Sequence, residues 1–171
     1  MNMPITKAKL TDIPQLNVLV NSAYRGESSK KGWTTEADLL GGIRTDEEVL
    51  TALINKENSV MLLYKKNNAL IGCVNLQQQN NKIYLGMLTV DPELQGSGAG
   101  KILLKASEDY AKEIGCTKIY MTVISIRIEL IAWYERRGYK DTGERKPFPM
   151  DDPKFGLPKM ELEFIVMEKL L

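Results

Sequence analysis

A mixed α/β fold, one central sheet flanked by helices, is predicted by three features of this 171-residue chain. Stretches with a helical period alternate with shorter apolar runs of strand length. Several of those runs are joined by turns too short for a parallel crossover, so part of the sheet is antiparallel. No linker, low-complexity stretch or internal repeat divides the pieces, and about 100–200 residues is an ordinary size for one domain, so residues 1–171 read as a single unit.

The opening ITKAKL alternates as a short strand. Thr11 and Asp12 precede Ile13-Pro14, a helix start, and Leu16, Leu19, Val20 and Ala23 give the apolar side of a helix over 13–24. Residues 25–44 mix charges and glycine around Trp33 and read as a surface excursion with one helical turn near Glu36 to Leu40. Thr45 with Glu48 three positions on has the spacing of a capping box opening an amphipathic helix. Runs at 59–64 and 69–76, joined by KKNN, form a hairpin. Residues 77–82 make the next turn, and IYLGMLTV (83–90) the next strand, where Gly86 signals a bulge or a close approach. A helix over 98–114 stops at Gly115, KIYMTV follows as a buried strand, and a short helix over 129–137 ends at Gly138. Tyr139 opens another strand, residues 147–158 form a proline-rich loop, and MELEFIVMEKLL closes the chain as a strand.

Composition narrows the function classes. Hydrophobic residues at 43% and charged residues at 26% exclude disorder and fibre, and a formal charge of +1 supplies no field to recruit nucleic acid or an anionic membrane. The polar start MNMPITKAKL has no apolar signal segment, which makes the cytoplasm the expected location. Cys73 and Cys116 are too few and too far apart for a disulfide framework or a zinc cluster, and no metal requirement follows. With no histidine in the chain, any catalyst must be carboxylate, tyrosine, serine, lysine, water or backbone.

The most informative stretch is Gln95-Gly96-Ser97-Gly98-Ala99-Gly100, directly after a strand and opening a helix. Glycines allow positive φ and leave no Cβ between the amides and a ligand, so N–H groups converge on phosphate oxygens at a helix start. Lys101 adds a cation. The spacing fits neither the G-x-G-x-x-G of dinucleotide folds nor G-x-x-x-x-G-K-[ST] of P-loop NTPases, which leaves a phosphate or pyrophosphate cradle of another kind.

With Leu88-Thr89-Val90-Asp91-Pro92-Glu93-Leu94-Gln95 before Gly98 and Gly100, the chain resembles the GNAT superfamily of N-acetyltransferases, whose acetyl-CoA motif is Q/R-x-x-G-x-G/A after such a strand. A second block, Ala132-Trp133-Tyr134-Glu135-Arg136-Arg137-Gly138-Tyr139, looks like the family's A-x-x-Y-x-x-x-G-F/Y. The resemblance implies a strongly twisted mixed sheet of about six to seven strands and transfer of an acetyl group from acetyl-CoA to a primary amine by direct attack in a ternary complex. It implies pyrophosphate on the turn from Gln95 through Gly96, Ser97, Gly98, Ala99 and Gly100 to Lys101, pantetheine along Leu88, Thr89 and Val90, and two strands that splay to admit it. Tyr134 would protonate the departing CoA sulfur, and Trp133, one position round the helix, would pack. Arg127, on the cofactor side, stands where many relatives carry asparagine.

The base is less defined. The strand position where many relatives carry an acid is Gly86 here, which leaves a water relay or a carboxylate from elsewhere, with Glu36 first, then Glu161 and Glu163. By the same resemblance Tyr24, Arg25, Trp33, Thr34, Glu36 and Arg44 border one edge of the acceptor site, and Phe148, Met150 and Phe155 the other. Acceptors left open are a free amino acid, a polyamine, an aminoglycoside or a peptide N-terminus. The mixed first edge speaks against a polyamine or aminoglycoside and the proline-rich stretch 147–158, a partial cover, against a peptide, which favours a small amine, with a protein N-terminus or side chain the alternative. Two other readings are a non-catalytic acyl-CoA-binding module and an interaction domain whose exposed last strand extends a partner's sheet, an edge that would equally serve a homodimer.

Overall fold

A computed structural model describes residues 5–24, 40–41, 44–94, 97–147, 157–158 and 162–171. In chain order these form β1 (Ile5–Lys7), α1 (Ile13–Tyr24), β2 (Leu40–Gly41), α2 (Glu47–Asn55), β3 (Ser59–Lys66), β4 (Ala69–Gln79), β5 (Lys82–Val90), α3 (Ala99–Glu113), β6 (Lys118–Ile124), α4 (Ile128–Glu135), β7 (Lys140–Pro147), β8 (Leu157–Pro158) and β9 (Glu163–Leu170). The main sheet has seven strands in the order β1-β3-β4-β5-β6-β9-β7, and β2 with β8 makes a separate two-stranded pair. Every pairing in the main sheet is antiparallel except β5 with β6. The expected mixed α/β architecture is therefore the one observed.

The two faces bury different helices against alternate residues of the same strands. Ile13, Leu16, Leu19, Val20 and Ala23 of α1, with Leu50 of α2, pack on Met61, Leu63, Cys73 and Met87. Leu103, Leu104 and Ala111 of α3 pack on the opposite face, on Leu62, Val74, Leu76, Leu85, Ile119 and Met121, with Tyr134 and Tyr139 beside them. The alternation of side chains along each strand is what divides one chain into these two cores.

Several boundaries depart from the sequence expectation. Asp46, not Thr45, caps α2, its carboxylate accepting from the Val49 amide at 2.8 Å; Thr45 lies fully buried one residue earlier. The turn expected over 77–82 shrinks to Asn80 and Asn81, because β4 runs to Gln79 and β5 starts at Lys82. Gly86 does mark a bulge: the β4–β5 register shifts between Cys73 and Asn75, and the left-handed residue is Met87 (φ 55°), not the glycine. The last strand is no edge. β9 lies between β6 and β7, so the outer strand at this end of the sheet is β7, whose eight residues are all exposed and whose register breaks between Asp141 and Arg145. Charge and a break in the ladder are the usual protections of an edge against pairing, which removes the reading of the last strand as a docking edge.

The feature that positions the site is the parting of β5 and β6. Their parallel pairing covers only Lys82–Tyr84 with Lys118–Tyr120. Beyond Tyr84 the bulge turns β5 away, while β6 stays paired with β9 through Ile124. A gap opens between two central strands.

Candidate active site

Around that gap lies a small cleft lined by Tyr24, Leu88, Val90, Gly100, Leu130, Trp133 and Tyr134. Tyr24 enters from the α1 face and Tyr134 from the α3 face. The Tyr24 hydroxyl donates to the Leu88 carbonyl, one residue past the bulge, so the re-aimed strand is held by the helix above it. Asn21, one turn earlier on α1, accepts the Arg44 and Thr45 amides on its side-chain oxygen at 2.7 and 3.1 Å and donates to the Thr45 carbonyl at 2.9 Å. That clamp sets the Arg44 guanidinium 5.5 Å from the centre of the Tyr24 ring.

Tyr134 is 4% exposed. Burial pushes its phenol well above the usual tyrosine range; Tyr24 and Tyr84 push the same way and Arg127 opposes them. The hydroxyl therefore keeps its proton at neutral pH. Its ring is gripped edge-on by Trp133, with centroids 5.1 Å apart, and by Tyr139 at 5.6 Å. Tyr139 is itself anchored, its hydroxyl donating to Glu108 Oε2 at 2.9 Å, and Lys169 meets the same carboxylate at 3.2 Å. Burial, then the Glu108 charge, raise Tyr139 far above its ordinary value, so it too stays neutral.

The glycine turn meets the cleft at its other end. Gly98 has φ 90° and begins α3, its carbonyl accepting the Ile102 amide at 3.1 Å; a Cβ there would find nothing within 4 Å. This open space against a helix N-terminus fits an anionic group. Gly100 is small for another reason: a Cβ would lie 3.4 Å from the Trp133 indole, which packs on the start of α3 and is covered on the Arg137 side by a guanidinium 3.9 Å from its ring centre. Trp133 is thus packing, as its place round the helix implies, and also wall of the cleft, which neighbouring helix positions alone did not suggest.

The expected residues divide accordingly. Tyr24, Leu88, Val90, Gly100 and Tyr134 come together, with Arg44 stacked behind Tyr24. Thr89 is turned inward, fully buried, its hydroxyl donating to the Met87 carbonyl at 2.8 Å, so its side chain does not face the cleft. The Ser97 amide donates to the Leu94 carbonyl at 3.2 Å, Ala99 is buried, and Lys101 is exposed. Arg127 occupies the residue before α4, near enough to Tyr134 to act on its ionisation. Glu163 is exposed at the start of β9. Glu36, Arg25, Trp33, Thr34, Gln95, Gly96, Phe148, Met150, Phe155 and Glu161 lie outside the described residues. Leu130 and Asn21 were not anticipated; the helical spacing of Leu130 beside Tyr134 was a usable signal, whereas Asn21 carries none.

No group of metal-binding side chains occurs among the described residues. Cys73 is wholly buried, its thiol pushed up to about 12 by burial, and Cys116 is also buried with a raised value, which fits two inert thiols.

The profile of the Acetyltransferase (GNAT) family matches residues 26–139, more than half of the chain. The chain belongs to that family. Among its relatives, the uncharacterized N-acetyltransferase YhfO of Bacillus subtilis (strain 168) is 30% identical over 148 residues, 82% of this chain and 93% of that protein. The spermine/spermidine N(1)-acetyltransferase of the same strain is 33% identical over 67 residues, but the match spans 39% of this chain and only 44% of that protein. The crystal structure of the ribosomal-protein-S18-alanine N-acetyltransferase from Escherichia coli superposes with a TM-score of 0.72 at 19% identity, covering 99% of this chain and 94% of that one. GNAT-type acetyl transfer to an amine is the chemistry this membership supports.

Proposed function

We propose that this GNAT protein moves an acetyl group from acetyl-coenzyme A to the primary amine of a small molecule, with both meeting at the gap between β5 and β6. The observation that carries the reading is Tyr134: a protonated phenol, fixed by two aromatic neighbours, at the edge of a cleft that begins at the glycine turn.

The open N-terminus of α3 at Gly98, with Lys101 nearby, would hold the pyrophosphate, and the β5 edge from Leu88 to Val90 would guide the pantetheine arm. Leu88 offers its amide and the second lone pair of a carbonyl already engaged by Tyr24. When bound, the thioester supplies an activated acyl carbon with a thiolate leaving group. The amine attacks that carbon as the neutral base; a C–N bond forms and the C–S bond breaks. Tyr134 gives its proton to the sulfur, the nitrogen loses one proton to water, and solvent restores the phenol, so protons balance with acetyl amide and free thiol as products. The high proton affinity that burial gives Tyr134 suits a donor rather than a base.

A small acceptor is favoured by the pairing of Leu40–Gly41 with Leu157–Pro158, which joins two parts of the chain far apart in sequence. Segments bridged in this way suit an enclosed amine better than an extended polypeptide.

Calorimetric titration with acetyl-CoA tests the cradle. The wild type should bind, and Gly98→Val should bind about tenfold more weakly or worse, because a left-handed backbone costs a side chain about 1–2 kcal/mol and the turn must rebuild. Equal affinity in the two proteins would remove the turn from the site.

A further inference from the structure

An amine acceptor needs a polar group to hold it on its own side of the gap, and Gly86 contributes no side chain there. The register shows what fills the place. Gly86 lies opposite Asn75, and Tyr84 opposite Gln77 and beside Tyr120, so all five share the face on which α1 and α2 pack. A Cβ on Gly86 would sit 2.9 Å from Tyr84 Cε1 and 3.5 Å from its hydroxyl oxygen. The Tyr84 ring is folded back along β5 over the glycine, and its hydroxyl occupies the space a longer side chain at 86 would take.

That hydroxyl is 3.4 Å from Thr122 Oγ1, where β5 and β6 have just parted, and it is close enough to Tyr134 to influence its ionisation. Its neighbours on the face are otherwise committed. The Tyr120 hydroxyl donates to Gln79 at 2.7 Å, Asn75 and Gln77 bond each other and Ser59 and Lys56, and Glu168, opposite Tyr120, is paired with Lys118 at 3.2 Å. Among the described residues, the side-chain hydroxyls of Tyr84 and Thr122 meet only each other.

We propose that the Tyr84 hydroxyl, seconded by Thr122, accepts a hydrogen bond from the acceptor's primary amine and points its lone pair into the gap. This rests on the transferase reading above. An uncharged hydroxyl pair beside the tilted Tyr84–Tyr120 rings, 5.4 Å between centroids, suits a neutral mono-amine with an apolar body. A polyamine would need several unpaired acids here; among the described residues Glu168 is paired with Lys118, and Glu144 acts on Tyr120, the ring farther from the gap.

The test uses acetyl-CoA with 2-phenylethylamine, glycinamide, an alanyl dipeptide and spermidine as acceptors, with acetyl-CoA affinity measured in parallel. Tyr84→Phe should lower kcat/KM for each amine that is turned over by about tenfold, the worth of one hydrogen bond to a desolvated group, through the amine's KM, with acetyl-CoA affinity unchanged. Gly86→Ala, which pushes the ring aside and keeps the hydroxyl, should do the same. Unchanged amine kinetics in Tyr84→Phe would overturn the assignment, as would spermidine being the preferred acceptor, or acetylation of none of the four by protein that binds acetyl-CoA. Failure of the wild type to bind acetyl-CoA would instead sink the transferase reading itself.

Discussion

Replacing Tyr134 by phenylalanine is expected to lower kcat by about 10²–10⁴-fold, the usual contribution of a positioned general acid, while acetyl-CoA affinity stays within about twofold. The two effects separate because the phenol and the ring do different work. The ring fills space between Trp133 and Tyr139 and is retained in the variant; only the proton beside the cleft is lost. Thermal unfolding of the variant should therefore lie close to wild type. The pH profile adds a second reading. Burial, with Tyr24 and Tyr84, raises the folded phenol above its ordinary value, so as pH rises through the usual tyrosine range the acid should remain protonated and the rate should not fall on its account. Steady-state thiol release across pH measures both, and a variant with wild-type kcat would assign the proton to another donor.

The largest expected loss of stability lies at Gly72. A Cβ on this β4 residue would stand 2.6 Å from the Thr89 carbonyl oxygen and 2.7 Å from Leu103 Cδ1. Leu103 belongs to α3 and can change rotamer at some cost, but the Thr89 oxygen is backbone of β5, fixed by the ladder to β4. Gly72→Ala should cost about 3 kcal/mol, the upper end of ordinary overpacking, or a fall in Tm of about 6–12 °C for a chain of this size. Since the strand it displaces carries Leu88 and Val90, affinity for acetyl-CoA should weaken as well. Differential scanning calorimetry with acetyl-CoA titration checks both; a variant as stable as wild type would mean that β5 can shift without disturbing the cleft.

Part of this architecture is legible in the amino-acid sequence alone. The helix over 13–24, the hairpin around Asn67-Asn68 and the helix after the glycine turn are local patterns, and local patterns survive folding. The turn was legible because glycines directly after a strand and opening a helix have few structural alternatives, and Gly98 does take φ 90° at that helix start. Tyr134 was found through its block of sequence and not through any periodicity; it is simply a buried aromatic until the cleft is seen.

What escaped depends on contacts far apart in the chain. Alternation places β9 in a sheet without saying which strands flank it, so an interior strand looked like an edge. A bulge at Met87 has no composition of its own, and it is the bulge that parts β5 from β6 and makes room for a site. Gly86 was noticed as a missing acid, but the residue that covers it is Tyr84, two positions back on the same face, and only geometry shows a ring folded along the strand. The cap of α2 slipped from Thr45 to Asp46 because two capping residues stand side by side, and burial of Thr45 settled the choice.

The measurement that bears most directly on this account is release of free thiol from acetyl-CoA by the purified wild-type protein with pooled primary amines, the products weighed by mass spectrometry. The account predicts thiol release that depends on added amine, matched mole for mole by an amine heavier by one acetyl group. Acetyl-CoA that binds but yields neither thiol nor acetylated amine with any primary amine would contradict it.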